Sequence, residues 1–241
     1  MQTGTFGTRY DDVIASPRMQ RLYGVSGYFN VGYWTGGVTD LVAACDRMVD
    51  EVASAITPDA RVVLDIGCGL GAGTQRIAQR LPRATVIGAN VSLWQLRATR
   101  RRGPSAIATD AARLGIGSSS VDAIVALESA LHFDTRDAFF AEAFRVLRPG
   151  GVLTMADMLF RDADVIGPWM VPPANRISGL AEYEERVCAA GFTDIASRDV
   201  TDVTWKPFCD AMGRVYGDEK AALRAIADSV SHYVFVTARR P

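Results

Sequence analysis

RVVLDIGCGLGAGT, residues 61–74, is the stretch whose reading decides the fold. A run of strand formers reaches Asp65, and glycines then stand at 67, 69, 71 and 73. β-Branched residues fit a pleated strand, whereas glycine permits a sharp turn and a close approach to the backbone. The stretch therefore predicts a strand, a tight turn and the start of a helix. From it, strands are expected at about 61–66, 84–89, 105–109, 121–127 and 151–157, with helices at about 71–81, 92–102 and 135–147. Proline at 82 stops the first helix, and Ser92-Leu-Trp-Gln95 opens the second with capping-box spacing. The third carries Phe139, Phe140, Ala143, Phe144 and Leu147 at helical spacing. Strand–helix alternation implies right-handed crossovers and a parallel sheet covered on both faces.

Two regions break the alternation. Residues 1–60 read as helical around 9–23 and 40–56, with an aromatic turn, YFNVGYW, at 28–34. Residues 158–178 are irregular and rich in proline and glycine. After them come a helix near 178–190, a strand near 192–200, a helix near 218–229 and a last strand at 232–238. No internal repeat or low-complexity segment interrupts the pattern.

The 241 residues suit one α/β domain, and 49% apolar with 22% charged residues is ordinary for a soluble globular chain. A net charge of −1 disfavours a nucleic-acid or anionic-membrane partner, both of which need a clustered positive field. The basic run Arg100-Arg101-Arg102 falls at a helix C-terminus, where the macrodipole favours cations. No stretch is apolar enough to span a bilayer, and MQTGTFGTRYDD lacks the features of a signal peptide. Four scattered cysteines without a C-x-x-C pair fit free thiols and a cytoplasmic location. No group of acids or histidines has metal-ligand spacing. Oligomeric state is not legible, and a homodimer stays open.

Gly67-x-Gly69-x-x-Ala72 also fits the relaxed dinucleotide fingerprint, so spacing alone does not name a ligand. Asp65 discriminates. A carboxylate beside the turn repels a pyrophosphate and attracts an ammonium, which points to a nucleoside carrying an α-amino acid, S-adenosylmethionine. The alternative is that Asp65 only caps the turn. VLDIGCGLGAGT resembles the first motif of the class I S-adenosylmethionine-dependent methyltransferases. Further landmarks follow in that family's order: VIGANVSLWQL (86–96), ATDAARLGIGSSSVDAIVAL (108–127), ESALHF (128–133) and LRPGGVLTMADM (147–158). The last is similar to the ubiquinone, sterol and tocopherol branch, which acts on small molecules.

The resemblance implies a Rossmann-like, doubly wound seven-stranded sheet with an antiparallel last strand and a single methyltransferase domain. Residues 1–60 would form an N-terminal helical cap, 61–157 the cofactor-binding core, and 158–241 the acceptor-pocket segment and C-terminal strands. It implies a cofactor site of Asp65, Gly67, Gly69, Asn90, Val91, Asp110 and Ala111, with Asn90 on the ribose and Asp110 on the adenine amino group. Asn90 departs from the family, which usually has an acid there; an amide donates as well as accepts and carries no charge. His132 and Glu128, after the fourth strand, are the candidates for a base, and Glu128 is alternatively a cofactor ligand. His232 is read as structural. Tyr10 is a further cofactor candidate, and Tyr28, Tyr33, Trp34 and Trp169 are acceptor candidates. These aromatic residues can cover a sulfonium or line the acceptor pocket, or they can anchor the chain segments that carry them. Trp94, Cys68 and Cys45 are read as packing.

The leading expectation is methyl transfer to a small apolar or aromatic metabolite of natural-product type, with O-methylation ahead of C- or N-methylation. A cyclase or binding protein that keeps S-adenosylmethionine as a scaffold is an alternative, because fold does not fix function. A dinucleotide-dependent oxidoreductase is disfavoured by Asp65 and by the neutral Asn90.

Overall fold

The computed structural model describes residues 3–217 and 220–241. Three helices, α1 (Thr3–Ala15), α2 (Pro17–Tyr23) and α3 (Leu41–Ala53), precede the glycine stretch. The core follows as β1 (Val62–Ile66), α4 (Ala72–Arg80), β2 (Thr85–Asn90), α5 (Leu93–Arg101), β3 (Ser105–Ala108), β4 (Val121–Leu127), α6 (Arg136–Val146) and β5 (Leu147–Phe160). The chain ends with α7 (Leu180–Ala189), β6 (Thr193–Asp199), α8 (Trp205–Val215), α9 (Lys220–Ser229) and β7 (Val230–Arg239). The seven strands lie in the order β3-β2-β1-β4-β5-β7-β6. β7 pairs antiparallel with both β5 and β6, and the pairings among β1 to β5 are parallel. The antiparallel last strand is thus present.

Alternate strand residues point to opposite faces, so β1 and β4 serve two cores. Val63, Ala123 and Val125 face the stripe Cys45, Met48, Val49 and Val52 of α3. Leu64, Ile66, Ile124 and Ala126 face Phe139, Phe140 and Ala143 of α6 and Tyr183 of α7. β1 and β4, buried on both faces, read as continuous apolar runs, as covered parallel strands do.

The departures from expectation have local causes. The helix expected over 9–23 is two, because Pro17 lacks an N–H and starts a new helix behind Ser16, whose hydroxyl accepts from Met19 N at 3.3 Å. β5 outruns 151–157 because β7 pairs with it as far as Phe160. α8 was not expected; it buries Trp205, Phe208, Ala211 and Met212 along one face, and Pro207 sits in its first turn, where the missing donor costs nothing. The helix expected over 218–229 runs from Lys220, and residues 218–219 lie outside the described residues. Trp94, expected to pack, is 43% exposed, while Cys45 and Cys68 are buried. No described helix is long and apolar enough to cross a membrane.

Candidate active site

The chain runs from β1 outward to β3, then returns to the other side of β1 as β4. At such a reversal the loops leaving adjacent strands diverge and open a crevice at the strands' C-terminal ends. A cavity of about 550 Å³ lies there, lined by the residues that follow β1, β2, β3 and β4 and roofed by α1. Its size is that of a small-ligand site.

The glycine turn forms one wall. Gly67 has φ 73°, and a Cβ on it would lie 2.3 Å from Ser129 Cβ, so the turn packs against the exit of β4. Gly69, with φ 55°, lines the cavity, and a Cβ there would meet no protein atom within 4 Å. The backbone is therefore bare toward the cavity. Arg102, from the basic run, braces the turn by donating from Nε to Leu70 O at 3.1 Å. Asp65 is buried at the end of β1 and accepts from Thr74 Oγ1 at 2.6 Å. Burial pushes its carboxyl up to about 6, against the Thr74 bond.

Asn90 and Val91 follow β2 and line the cavity. Asn90 Oδ1 accepts from Ser92 N at 2.9 Å, and Nδ2 donates to Gln95 Oε1 at 2.9 Å. One lone pair of the amide oxygen remains. Only half of the expected capping box forms: Ser92 Oγ accepts from Gln95 N at 3.2 Å, but the Gln95 side chain reaches Asn90 and Asp11 instead of the backbone of Ser92. Asp110 and Ala111 also line the cavity. Asp110 Oδ1 accepts from Ala112 N at 2.9 Å, which fixes the side chain and leaves Oδ2 unbonded among the described residues.

The opposite wall holds both base candidates. Glu128 has φ 51°, a left-handed backbone that non-glycine residues seldom adopt. Its Oε1 accepts from Val31 N at 2.8 Å and from Tyr233 Oη at 2.6 Å. Burial still raises its carboxyl to about 7. His132 Nδ1 lies 2.6 Å from Met170 O. A carbonyl can only accept, so Nδ1 carries the proton and Nε2 keeps its lone pair. Burial depresses the imidazole to about 4, so the ring is neutral at pH 7.

A buried polar cluster holds this wall. Asn175 Nδ2 donates to Leu131 O at 3.0 Å and to Phe133 O at 2.7 Å, gripping the chain on both sides of His132. Asn175 Oδ1 accepts from Arg136 N at 2.7 Å. Arg136 Nε donates to Asp157 Oδ2 at 2.8 Å, which also accepts from Tyr183 Oη at 2.8 Å. Arg136, Asp157, Asn175 and Tyr183 are each at most 1% exposed. Nothing in the sequence marked Asn175 or Arg136, because their partners come from separate elements.

Of the aromatic candidates, Tyr10, Tyr28 and Trp169 line the cavity. Tyr10 stands edge-on to His132 at 4.9 Å between centroids, and Phe6, one helical turn earlier, lies 5.4 Å from His132 and 6.2 Å from Trp169. Phe6 was missed, although its spacing from Tyr10 put both on one face of a helix. The Tyr28 hydroxyl donates to Asp46. Tyr33 and Trp34 do not reach the cavity. Tyr33 packs 5.5 Å from Phe235, and Trp34 donates from Nε1 to Val31 O at 2.8 Å and from its backbone N to Val203 O at 2.7 Å. Both anchor the 28–34 turn to the C-terminal part of the chain. His232 lies in β7 opposite Leu159.

A family model described as "Methyltransferase domain" matches residues 64–155. The erythromycin 3''-O-methyltransferase of Saccharopolyspora erythraea is 30% identical over 215 residues, spanning 80% of this chain and 70% of its own. The chain belongs to the S-adenosylmethionine-dependent methyltransferases. Two solved structures resemble this methyltransferase over almost its whole length. The [4+2]-cyclase SpnF is 28% identical with a TM-score of 0.79, covering 99% of this chain and 97% of that one. The geranyl diphosphate C-methyltransferase of Streptomyces coelicolor A3(2), solved with S-adenosyl-L-homocysteine, has a TM-score of 0.78 and covers the same shares. At 16% identity, it shows the fold alone. The residues present fit the cofactor: a bare backbone at Gly69, a carboxylate at the turn, and an unbonded Asp110 Oδ2 across the same cavity.

Proposed function

We propose that this methyltransferase methylates a hydroxyl oxygen of a small, largely apolar metabolite of natural-product type, with His132 as the base. The observation that carries this reading is the His132 Nδ1–Met170 O bond, which leaves Nε2 unprotonated in a cavity walled by Phe6, Tyr10, Phe29 and Trp169. Bound S-adenosylmethionine supplies an electrophilic methyl group. His132 Nε2 would accept the hydroxyl proton as the acceptor oxygen takes that methyl, the methyl–sulfur bond breaking to leave S-adenosylhomocysteine. A hydroxyl becomes strongly acidic as its oxygen acquires a second carbon, so an imidazole depressed to about 4 still suffices as acceptor.

Asp65 faces the ammonium of the cofactor, Gly67 and Gly69 admit its backbone-facing edge, Asn90 and Val91 hold the ribose, and Asp110 and Ala111 hold the adenine. Glu128, with one oxygen already bonded to Val31 N and Tyr233, fixes the 28–34 turn beside the reacting centre. Residues 1–60 act as the cap and 158–178 complete the acceptor pocket. Most of the gain comes from positioning and exclusion of water. A small molecule, not a nucleic acid, is the acceptor, in keeping with the net charge of −1.

The test is turnover with ¹³C-methyl S-adenosylmethionine and a panel of hydroxylated apolar acceptors. The expected result is label in an O-methyl carbon with one S-adenosylhomocysteine released per product. Label on carbon or nitrogen would overturn the oxygen assignment. The likeness to SpnF favours one second reading, a cyclase that keeps its cofactor, and product formed without S-adenosylhomocysteine would establish it.

A further inference from the structure

The ribose position ends in an amide, yet a carboxylate stands behind it. Asp11, on α1, accepts from Gln95 Nε2 at 2.6 Å through Oδ1 and from Ser92 Oγ at 2.8 Å through Oδ2. Ser92 and Gln95 are 5% and 3% exposed, so this is a built cluster and not a surface contact. The directions of its bonds are forced. A carboxylate only accepts, so Gln95 must turn Nε2 toward Asp11 and Oε1 toward Asn90. Asn90 must then give Nδ2 to Gln95, which leaves Oδ1 with Ser92 N and one free lone pair.

We propose that Asp11 supplies from α1 the negative charge of the ribose site, acting through Gln95 on Asn90. It is a positioning residue, and the proposal rests on the reading that Asn90 holds the ribose. A ribose presents two hydroxyl donors, and a lone amide could meet them with either end. Ser92 N already holds that amide by Oδ1, and the carboxylate at the end of the chain reinforces this orientation and strengthens the accepting end, because a hydrogen bond to a charged acceptor polarises the next one. Ribose recognition then requires α1 to be docked. The same helix brings Phe6 and Tyr10 against His132, so cofactor capture and the roofing of the reacting centre become one event.

Titration calorimetry with S-adenosylhomocysteine and its 2′,3′-dideoxy analogue tests this. Asp11→Asn should weaken S-adenosylhomocysteine about tenfold and the dideoxy analogue far less. The ratio of the two affinities on one variant does not depend on how much of it is folded. The second variant moves the charge. In Asp11→Asn/Asn90→Asp the Gln95 amide can turn over, donating to the new carboxylate at position 90 and accepting from the new amide at position 11. Affinity for S-adenosylhomocysteine should return to within about threefold of wild type, the residue of an imperfect repacking. Asn90→Asp alone places acids on both sides of Gln95 and should bind worse than the double variant. The proposal is overturned if Asp11→Asn binds as wild type, if both ligands weaken equally, or if the swap restores nothing. An Asn90→Ala variant with unchanged affinity would remove the ribose reading itself. Loss in Asn90→Ala without loss in Asp11→Asn would remove only the role of Asp11.

Discussion

Burial moves three of the titratable groups around the cavity toward their neutral forms: Asp65 up to about 6, Glu128 up to about 7 and His132 down to about 4. Each shift has a measurable consequence. An ammonium placed against Asp65 prefers the ionised carboxyl, so ligand binding must expel a proton below pH 6 and affinity is lost as pH falls. Affinity for S-adenosylhomocysteine should rise about tenfold between pH 5 and 7, and Asp65→Asn should flatten that slope. A pH-independent wild-type affinity in calorimetry would contradict the assignment. For Glu128 the sign runs the other way. Its folded value exceeds the usual carboxyl value, so its stabilising contribution is complete below about pH 4.5 and is lost as pH rises through about 7. Glu128→Gln keeps the neutral form at every pH. Without ligand, the variant should exceed wild type by about 2–3 kcal/mol in urea unfolding at pH 7.5, a gap that closes near pH 4.5. Asp65, Gly67 and Gly69 were legible as cavity residues from local spacing, and Asp110 from the family resemblance. Asp11, Gln95 and Asn175 were not, because each matters through partners far along the chain.

At the scale of elements, the turn that carries His132 depends on a segment that looks structureless. Residues 158–178 contain two short turns of helix, and their Asn175 ties Leu131 and Phe133 to Arg136. Asn175→Ala strips one buried carbonyl, one partly buried carbonyl and one buried N–H of their partner. It should lower stability by at least about 2 kcal/mol in chemical denaturation and reduce kcat as the imidazole loses its fixed direction. Unchanged stability would show that water or a neighbour satisfies the clamp. The same segment supplies the Met170 carbonyl that sets the His132 tautomer. Periodicity found the regular elements apart from α8 but had no purchase on this segment, where single hydrogen bonds and not repeating contacts fix the path. The aromatic turn shows the complementary failure. Composition grouped Tyr28, Tyr33 and Trp34, yet the chain turns between them, so Tyr28 meets the cavity while the other two anchor the turn.

For the whole molecule, strand–helix alternation was enough to specify a parallel sheet covered on both faces, while the doubly wound order, and with it a crevice where β1 and β4 part, came from the family resemblance. The N-terminal cap was expected from the family resemblance, but the walls its side chains reach were not, since nothing in residues 1–23 states which strand ends they cross. Its contacts give the cavity its division of labour. Asp11 faces the β2 side, Phe6 and Tyr10 face the β4 side, and Arg9 lies 4.9 Å over Trp169 of the 158–178 segment. One helix thus touches three walls of the site. The related structures bear reactions as different as cyclisation and C-methylation on this frame, so the chemistry of this chain must rest on the groups inside the cavity.

The base assignment for His132 is the center of that chemistry, and one comparison tests it most directly: kcat and S-adenosylhomocysteine affinity measured together for wild type and His132→Ala. The imidazole should contribute at least about 100-fold to kcat without touching the cofactor, so kcat falls by that factor while the dissociation constant stays within about twofold. The wild-type acid limb should lie near pH 4, where burial places the ring, not near 6.5. A kcat within about threefold of wild type, or a loss matched by an equal loss of cofactor affinity, would contradict the account.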